Sequence, residues 1–172
     1  MATRKTPGRG QTTPGSAPAA APRIAVPAPC WCGLQQGDLV VVDTAPFIYV
    51  LEDHPAFAPL FLGLFEDHAN GRLRIALSTI TLAEVLVGPL RQGQDTLARR
   101  YERALAGFEV LTVSAEVAST AARLRATSGL RLPDALQAAT AIECRAVALV
   151  THDRDFSRLQ GLRVLTGAPP AA

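Results

Sequence analysis

Between residues 38 and 165, short apolar runs rich in β-branched residues alternate with stretches of helical periodicity. No other feature of the chain constrains its fold as strongly. The apolar runs fall at 39–42, 73–77, 108–113, 146–150 and 162–165, each short enough for a strand covered on both faces. Helices are expected over 44–52, 56–68, 78–89, 95–106, 114–126 and 133–144, with a short one near 156–159. Strands that return to one sheet after each helix pair in parallel, through right-handed crossovers. The expectation is an α/β protein with a central parallel sheet of four to five strands flanked by helices.

Local punctuation supports these bounds. Pro46 suits a first helical turn, where its missing N–H is not needed. Phe57, Leu60, Phe61 and Leu64 keep helical spacing through 56–68. Gly88-Pro89 reads as the stop of the third helix. Ser114 reads as an N-cap, and Ser128-Gly129 closes the helix that it opens.

Ahead of this core, residues 1–37 are rich in Pro, Ala, Gly and Thr. Such a segment buries too little apolar surface to offset its ordering entropy. It is expected to be a disordered extension before a domain spanning 38–172. It also carries Arg4, Lys5, Arg9 and Arg23 and no acid, whereas the rest holds 13 arginines against 15 acids. The net charge of +2 therefore hides a slightly acidic folded part. Cys30, Cys32 and Cys144 have no framework spacing and no partner set for zinc. No signal-type or membrane-spanning apolar stretch is present, so a soluble, cytoplasmic protein with no membrane partner is expected.

The acids carry the functional argument. Asp43 ends the run at 39–42, and Asp153 follows the run at 146–150. In a parallel sheet both reach the carboxyl edge, where ligands bind in open α/β folds. Glu84 shares its helical face with Ile80, Val87 and Gly88, with no cation one turn away. A carboxylate there needs compensation for its charge, or a place at the margin of the face where it reaches water. Asp134 follows Pro133 in the first turn of a helix that is otherwise largely Ala, Leu and Ile. Each acid has a structural alternative: Asp43 as a helix cap, Asp134 as a partner of the helix N-terminus. Together they fit one carboxylate cluster. Clustered oxygens select hard divalent ions such as Mg²⁺ or Mn²⁺, and without a cation they would repel and titrate high. Such a site suits metal-assisted phosphodiester hydrolysis, in which the ion lowers the pKa of a water and stabilises the oxygens of an in-line displacement.

The segments Val41-Val-Asp43-Thr44 with Ile48-Tyr49, Ser78-x-Ile80-Thr81-x-x-Glu84-x-x-x-Gly88, Asp134-Ala-Leu-x-Ala-Ala-Thr-Ala and Leu149-Val-Thr-x-Asp153-x-Asp155-Phe156 resemble the four acidic motifs of the PIN-domain family. Within it they resemble VapC-type toxin ribonucleases. The resemblance covers residues 38–165. It implies a PIN-like three-layer fold and Mg²⁺- or Mn²⁺-dependent endoribonuclease activity on RNA. It also implies a cognate antitoxin that inserts a segment into the active-site groove, and a homodimer. Carried over, Asp43, Glu84, Asp134 and Asp153 match the acidic quartet, with Asp43 and Asp134 as principal metal ligands. Thr44 and Thr151 match hydroxyl-bearing flanks, and Asp155 a less constant acid that could also cap the next helix. Two departures stand out: His152 occupies the place of the usual Asn, and the extension before the first strand is unusual.

Other acid-at-strand-end families fit poorly. A receiver domain needs a lysine, and the only one is Lys5; a haloacid-dehalogenase-type phosphatase needs an acid where Ala45 stands. No glycine-rich phosphate loop follows the first strand. The remaining alternatives are a PIN nuclease of RNA maturation and a PIN-like module that binds RNA or protein without cutting.

Overall fold

The structure, a computed structural model, describes Met1 and residues 30–167. Five strands, β1 (Leu39–Val42), β2 (Arg74–Ser78), β3 (Glu109–Leu111), β4 (Ala148–Val150) and β5 (Val164–Leu165), form one sheet in the order β3-β2-β1-β4-β5. Every pairing is parallel. The helices are α1 (Thr44–Leu51), α2 (Leu62–Ala69), α3 (Thr79–Arg91), α4 (Asp95–Leu105), α5 (Ala115–Ser128) and α6 (Leu132–Glu143).

Strand side chains alternate between the two faces, and the three layers follow from that. Val40, Val42, Ile75, Leu77, Ala148 and Val150 join a core with Phe47, Phe61, Leu64 and Leu105 from the side of α1, α2 and α4. Val41, Ala76 and Leu149 face the other way, against Ala138 and Ala141 of α6. Small residues on α6 let the helix lie close to the strands. α5 packs on α6 through Val117, Ala121, Ala135 and Ala139.

The strand order also fixes where the chain opens. From β1 it steps to β2 and β3 on one side, then crosses back to β4 and β5 on the other. The reversal lies between β1 and β4, so the crevice expected at a topological switch point falls beyond Val42 and Val150.

Three sequence expectations change. The helix expected over 56–68 is a 3₁₀ turn at Ala58–Leu60 followed by α2. Pro59 has no N–H to carry on a helix begun at Ala56 and sits instead in the first positions of the 3₁₀ turn, and the α-helix begins only at Leu62. In α3, Gly88-Pro89 is not a stop, and the helix runs on to Arg91. Pro89 is buried in that last turn, and its ring costs a single hydrogen bond there.

The third change concerns the boundary at 37/38. Cys30 and Leu34 are buried in the larger core, and Trp31 packs against it. The Trp31 N–H donates to Asp67 Oδ2 at 2.6 Å, and its indole N–H donates to the Leu60 carbonyl at 3.3 Å. Asp67 is held in turn by Arg72 at 3.0 Å. Gly63 leaves the space for the indole, since a Cβ there would lie 3.0 Å from Trp31 Cδ1. Residues 30–34 thus pack against the core. Averaged over 37 residues, the few apolar ones at the end are diluted by the Pro- and Ala-rich stretch before them. The rest of the expected extension, residues 2–29, and residues 168–172 lie outside the described residues. No helix among the described residues is long and apolar enough to cross a membrane.

Candidate active site

Asp43 follows β1 directly and caps α1, its Oδ1 accepting the Thr44 N–H at 2.7 Å. The register Val42↔Val150 places Thr151 beside it. The buried Thr151 hydroxyl donates to Asp43 Oδ2 at 2.7 Å and accepts the Asp153 N–H at 3.0 Å. The helix-cap role and the site role therefore coexist in Asp43, one oxygen for each. Thr44 does not cap α1; it is the first helical residue, and its hydroxyl donates to the Glu84 carboxylate on α3.

Asp43, Thr44, Glu84, Asp134 and Asp153 all line one cleft of about 430 Å³, with Ala45, Ile48 and Val87 as its apolar wall. No cation is among those lining residues. The acids enter in different degrees. Asp43 is only 9% exposed. Asp134, in the first turn of α6, is half-buried, and Glu84 and Asp153 are exposed. Glu84 thus sits at the margin of its helix face and reaches water across the cleft. Its apolar neighbours in sequence do not bury it. Asp153 Oδ1 accepts the Asp155 N–H at 2.8 Å and caps the 3₁₀ turn Arg154–Arg158. Asp155 is exposed, pairs with Arg158 at 3.4 Å and does not line the cleft.

The electrostatics follow from this placement. Burial pushes the Asp43 carboxyl up to about 6, and the charges of Glu84 and Asp134 push the same way. The hydrogen bonds from Thr151 and Thr44 favour the ionised form and hold the shift down. Asp134 is raised as well, first by burial, then by Asp153 and Glu84, with Arg131 opposing.

The donor set is all oxygen, which fits a hard cation. Among the described residues, no three acids, histidines or cysteines are drawn into a group that could hold a metal ion by themselves. Mg²⁺ is commonly bound through one or two carboxylates while keeping several waters, so it does not require such a group.

Two features were not read from the sequence. His152 is not among the residues lining the cleft: its Nδ1 lies 3.0 Å from the Tyr49 hydroxyl, and its ring packs on Phe57 at 4.8 Å between centroids. Gln137 of α6 is fully buried and bonded to both Ser78 and Thr81. A lone amide among Ala135, Leu136, Ala138 and Ala139 was the available signal, because a buried amide requires partners. Arg99, Arg100 and Arg103 line a different groove along α4.

A parallel sheet between helical layers, with four carboxylates lining the cleft at its switch point, defines an α/β protein with an acid-lined site. Residues 40–162 match the PIN domain, and the chain belongs to the PIN-domain family. None of the curated proteins compared matches it in sequence. Among solved structures it is similar to VapBC2 from Rickettsia felis bound to a DNA fragment from its promoter, with 26% identity and a TM-score of 0.61 over 73% of this chain and 96% of that one. It is similar to a toxin–antitoxin complex from Klebsiella pneumoniae, with 29% identity and a TM-score of 0.59 over 74% of this chain and 96% of that one. It is also similar to VapBC-5, a toxin–antitoxin system of Mycobacterium tuberculosis, with 27% identity and a TM-score of 0.53 over 74% and 98%.

Proposed function

We propose that the chain is a Mg²⁺- or Mn²⁺-dependent endoribonuclease acting as the toxin of a toxin–antitoxin pair. One observation carries the reading: a buried carboxylate at the switch point shares its cleft with Glu84, Asp134 and Asp153, and none of the described residues lining it is cationic. That arrangement is costly for the fold alone and useful for holding a divalent ion against a phosphodiester.

Asp43 and Asp134 would be the principal ligands, with Glu84 and Asp153 completing the site directly or through water. When bound, the ion supplies the charge that acidifies a water and stabilises the oxygens of an in-line displacement. The protein's own groups hold the geometry. Thr151 fixes Asp43 Oδ2 and the backbone of Asp153; the Thr44 N–H fixes Asp43 Oδ1, and its hydroxyl fixes Glu84. The water oxygen bonds to phosphorus as the bond from phosphorus to the 3′-oxygen breaks, leaving 5′-phosphate and 3′-hydroxyl ends.

The partners under this reading are an RNA substrate, a cognate antitoxin and a second copy of the chain, in the cytoplasm. The named likeness to toxin–antitoxin complexes supports the antitoxin. Expression of the chain alone should arrest growth. Co-expression of a small protein encoded immediately upstream should relieve the arrest. RNA cleavage without growth arrest would favour a nuclease of RNA maturation, and arrest without chelator-sensitive cleavage would favour a binding module.

A further inference from the structure

Glu84 and Asp134 stand on different helices, and each raises the cost of ionising the cleft. Both line the same cleft. Two helices that carry repelling charges need something to hold them at a fixed separation. One residue makes that connection. Gln137 lies three residues after Asp134 on α6, and Thr81 lies three residues before Glu84 on α3, so each shares a helix face with its acid. The Gln137 side-chain NH₂ donates to Thr81 Oγ1 at 2.6 Å, and its carbonyl accepts from the Ser78 hydroxyl at 2.8 Å. Ser78 Oγ accepts the Thr81 N–H at 3.2 Å and caps α3, which closes the ring.

Gln137 is 1% exposed, and Ser78 and Thr81 are fully buried. Among the described residues, no buried side-chain polar atom lacks a partner. Its neighbours on α6 are alanines and Leu136, and a leucine would fill the same place without desolvating an amide. What the amide adds is direction: it can satisfy its bonds only when α6, the end of β2 and the first turn of α3 stand in one arrangement.

We infer that Gln137, through Ser78 and Thr81, is a positioning residue that sets the separation of Glu84 and Asp134 for divalent-cation binding. The inference rests on the proposed function of the cleft. Gln137 itself touches neither cation nor substrate.

The test is calorimetric titration of Mn²⁺ into the full chain without RNA, together with cleavage kinetics and thermal unfolding. The variants are Gln137→Leu and the double substitution Gln137→Leu/Thr81→Val. The single change takes the amide partner from both the Thr81 and the Ser78 hydroxyls and should lower Tm. The double change removes the Thr81 hydroxyl and leaves that of Ser78 without its acceptor, so it should recover part of the loss, since replacing both partners of a bond by apolar groups is nearly neutral. Positioning predicts that Mn²⁺ affinity and kcat fall roughly 10–100-fold in both variants, with KM for RNA unchanged, the usual scale for residues that orient ligands. Mn²⁺ affinity and kcat at wild-type level in the double variant would overturn the inference, because the amide would then be a packing feature only. Should Gln137→Leu fail to fold, the double variant decides. A wild type that neither binds Mn²⁺ nor cleaves RNA would remove the reading of the cleft, and this inference with it.

Discussion

The Thr151 hydroxyl donates to Asp43 Oδ2 at 2.7 Å, joining the ends of two adjacent parallel strands at the point where the sheet order reverses. The bond has two effects. It orients the one deeply buried carboxylate of the cleft, and it favours the ionised form of that carboxylate against the burial that opposes it.

Thr151→Val keeps the volume and removes the hydroxyl. A buried hydrogen bond to a charged group is worth about 1.5–3 kcal/mol, so Tm should fall by several degrees. Asp43 should titrate higher still, and cleavage at neutral pH should fall about tenfold or more. Thr151→Ser should restore both. Wild-type activity in Thr151→Val would show that Asp43 does not depend on this bond.

Asp43→Asn should stabilise the protein at neutral pH while removing its activity. The Asp43 pKa is raised from 3.8 to about 6 on folding. The stability this group contributes is present below 3.8 and lost as pH rises through about 6, because the folded state holds the proton more tightly. At pH 7 the ionised carboxylate costs on the order of 3 kcal/mol, at 1.36 kcal/mol per pKa unit. Replacement by a neutral amide should raise Tm in the absence of divalent ions. Mn²⁺ should raise the Tm of the wild type but not of the variant, by mass action on the folded state. Lower Tm in Asp43→Asn at pH 7 would contradict this.

The same shift predicts the pH profile of cleavage. Asp43 must lose its proton before it can act as a ligand, so activity should drop as pH falls through about 6. Cation and proton compete for the carboxylate, and raising Mn²⁺ should move the midpoint to lower pH. A rate that is flat from about pH 5 to 8, or a midpoint insensitive to Mn²⁺, would assign the limiting group elsewhere.

Leu34 lies ahead of the first strand and is 0% exposed. Leu34→Ala should cost about 2–5 kcal/mol, as for other buried leucines. Denaturant unfolding reads it directly. A silent substitution would place residues 30–34 outside the cooperative unit.

The alternation of strand and helix was legible because the buried runs are short, apolar and rich in β-branched residues. Asp43, Glu84, Asp134 and Asp153 could be read because each sits at a strand end or on a marked helix. Other features depend on contacts distant in sequence. Trp31 is anchored by Leu60 and Asp67, and nothing within residues 1–37 announces those partners. Pro89 looks like a stop until its burial is known. The sequence left two readings of Glu84 open, a charge that needs compensation or a place at the margin of its helix face, and only the packed helices show that it is exposed at the cleft. Gln137 shows as an anomaly in an apolar helix, but its bonds to Ser78 and Thr81 require the packed pair of helices.

The most direct measurement is cleavage of RNA by the wild type and by Asp43→Asn, side by side, with Mn²⁺ and with chelator. The acid-cleft account predicts chelator-sensitive cleavage by the wild type and a loss of at least about a hundredfold in the folded variant, the scale for a group that positions reacting atoms. Equal cleavage by the two proteins, or wild-type cleavage that survives chelation, would contradict it.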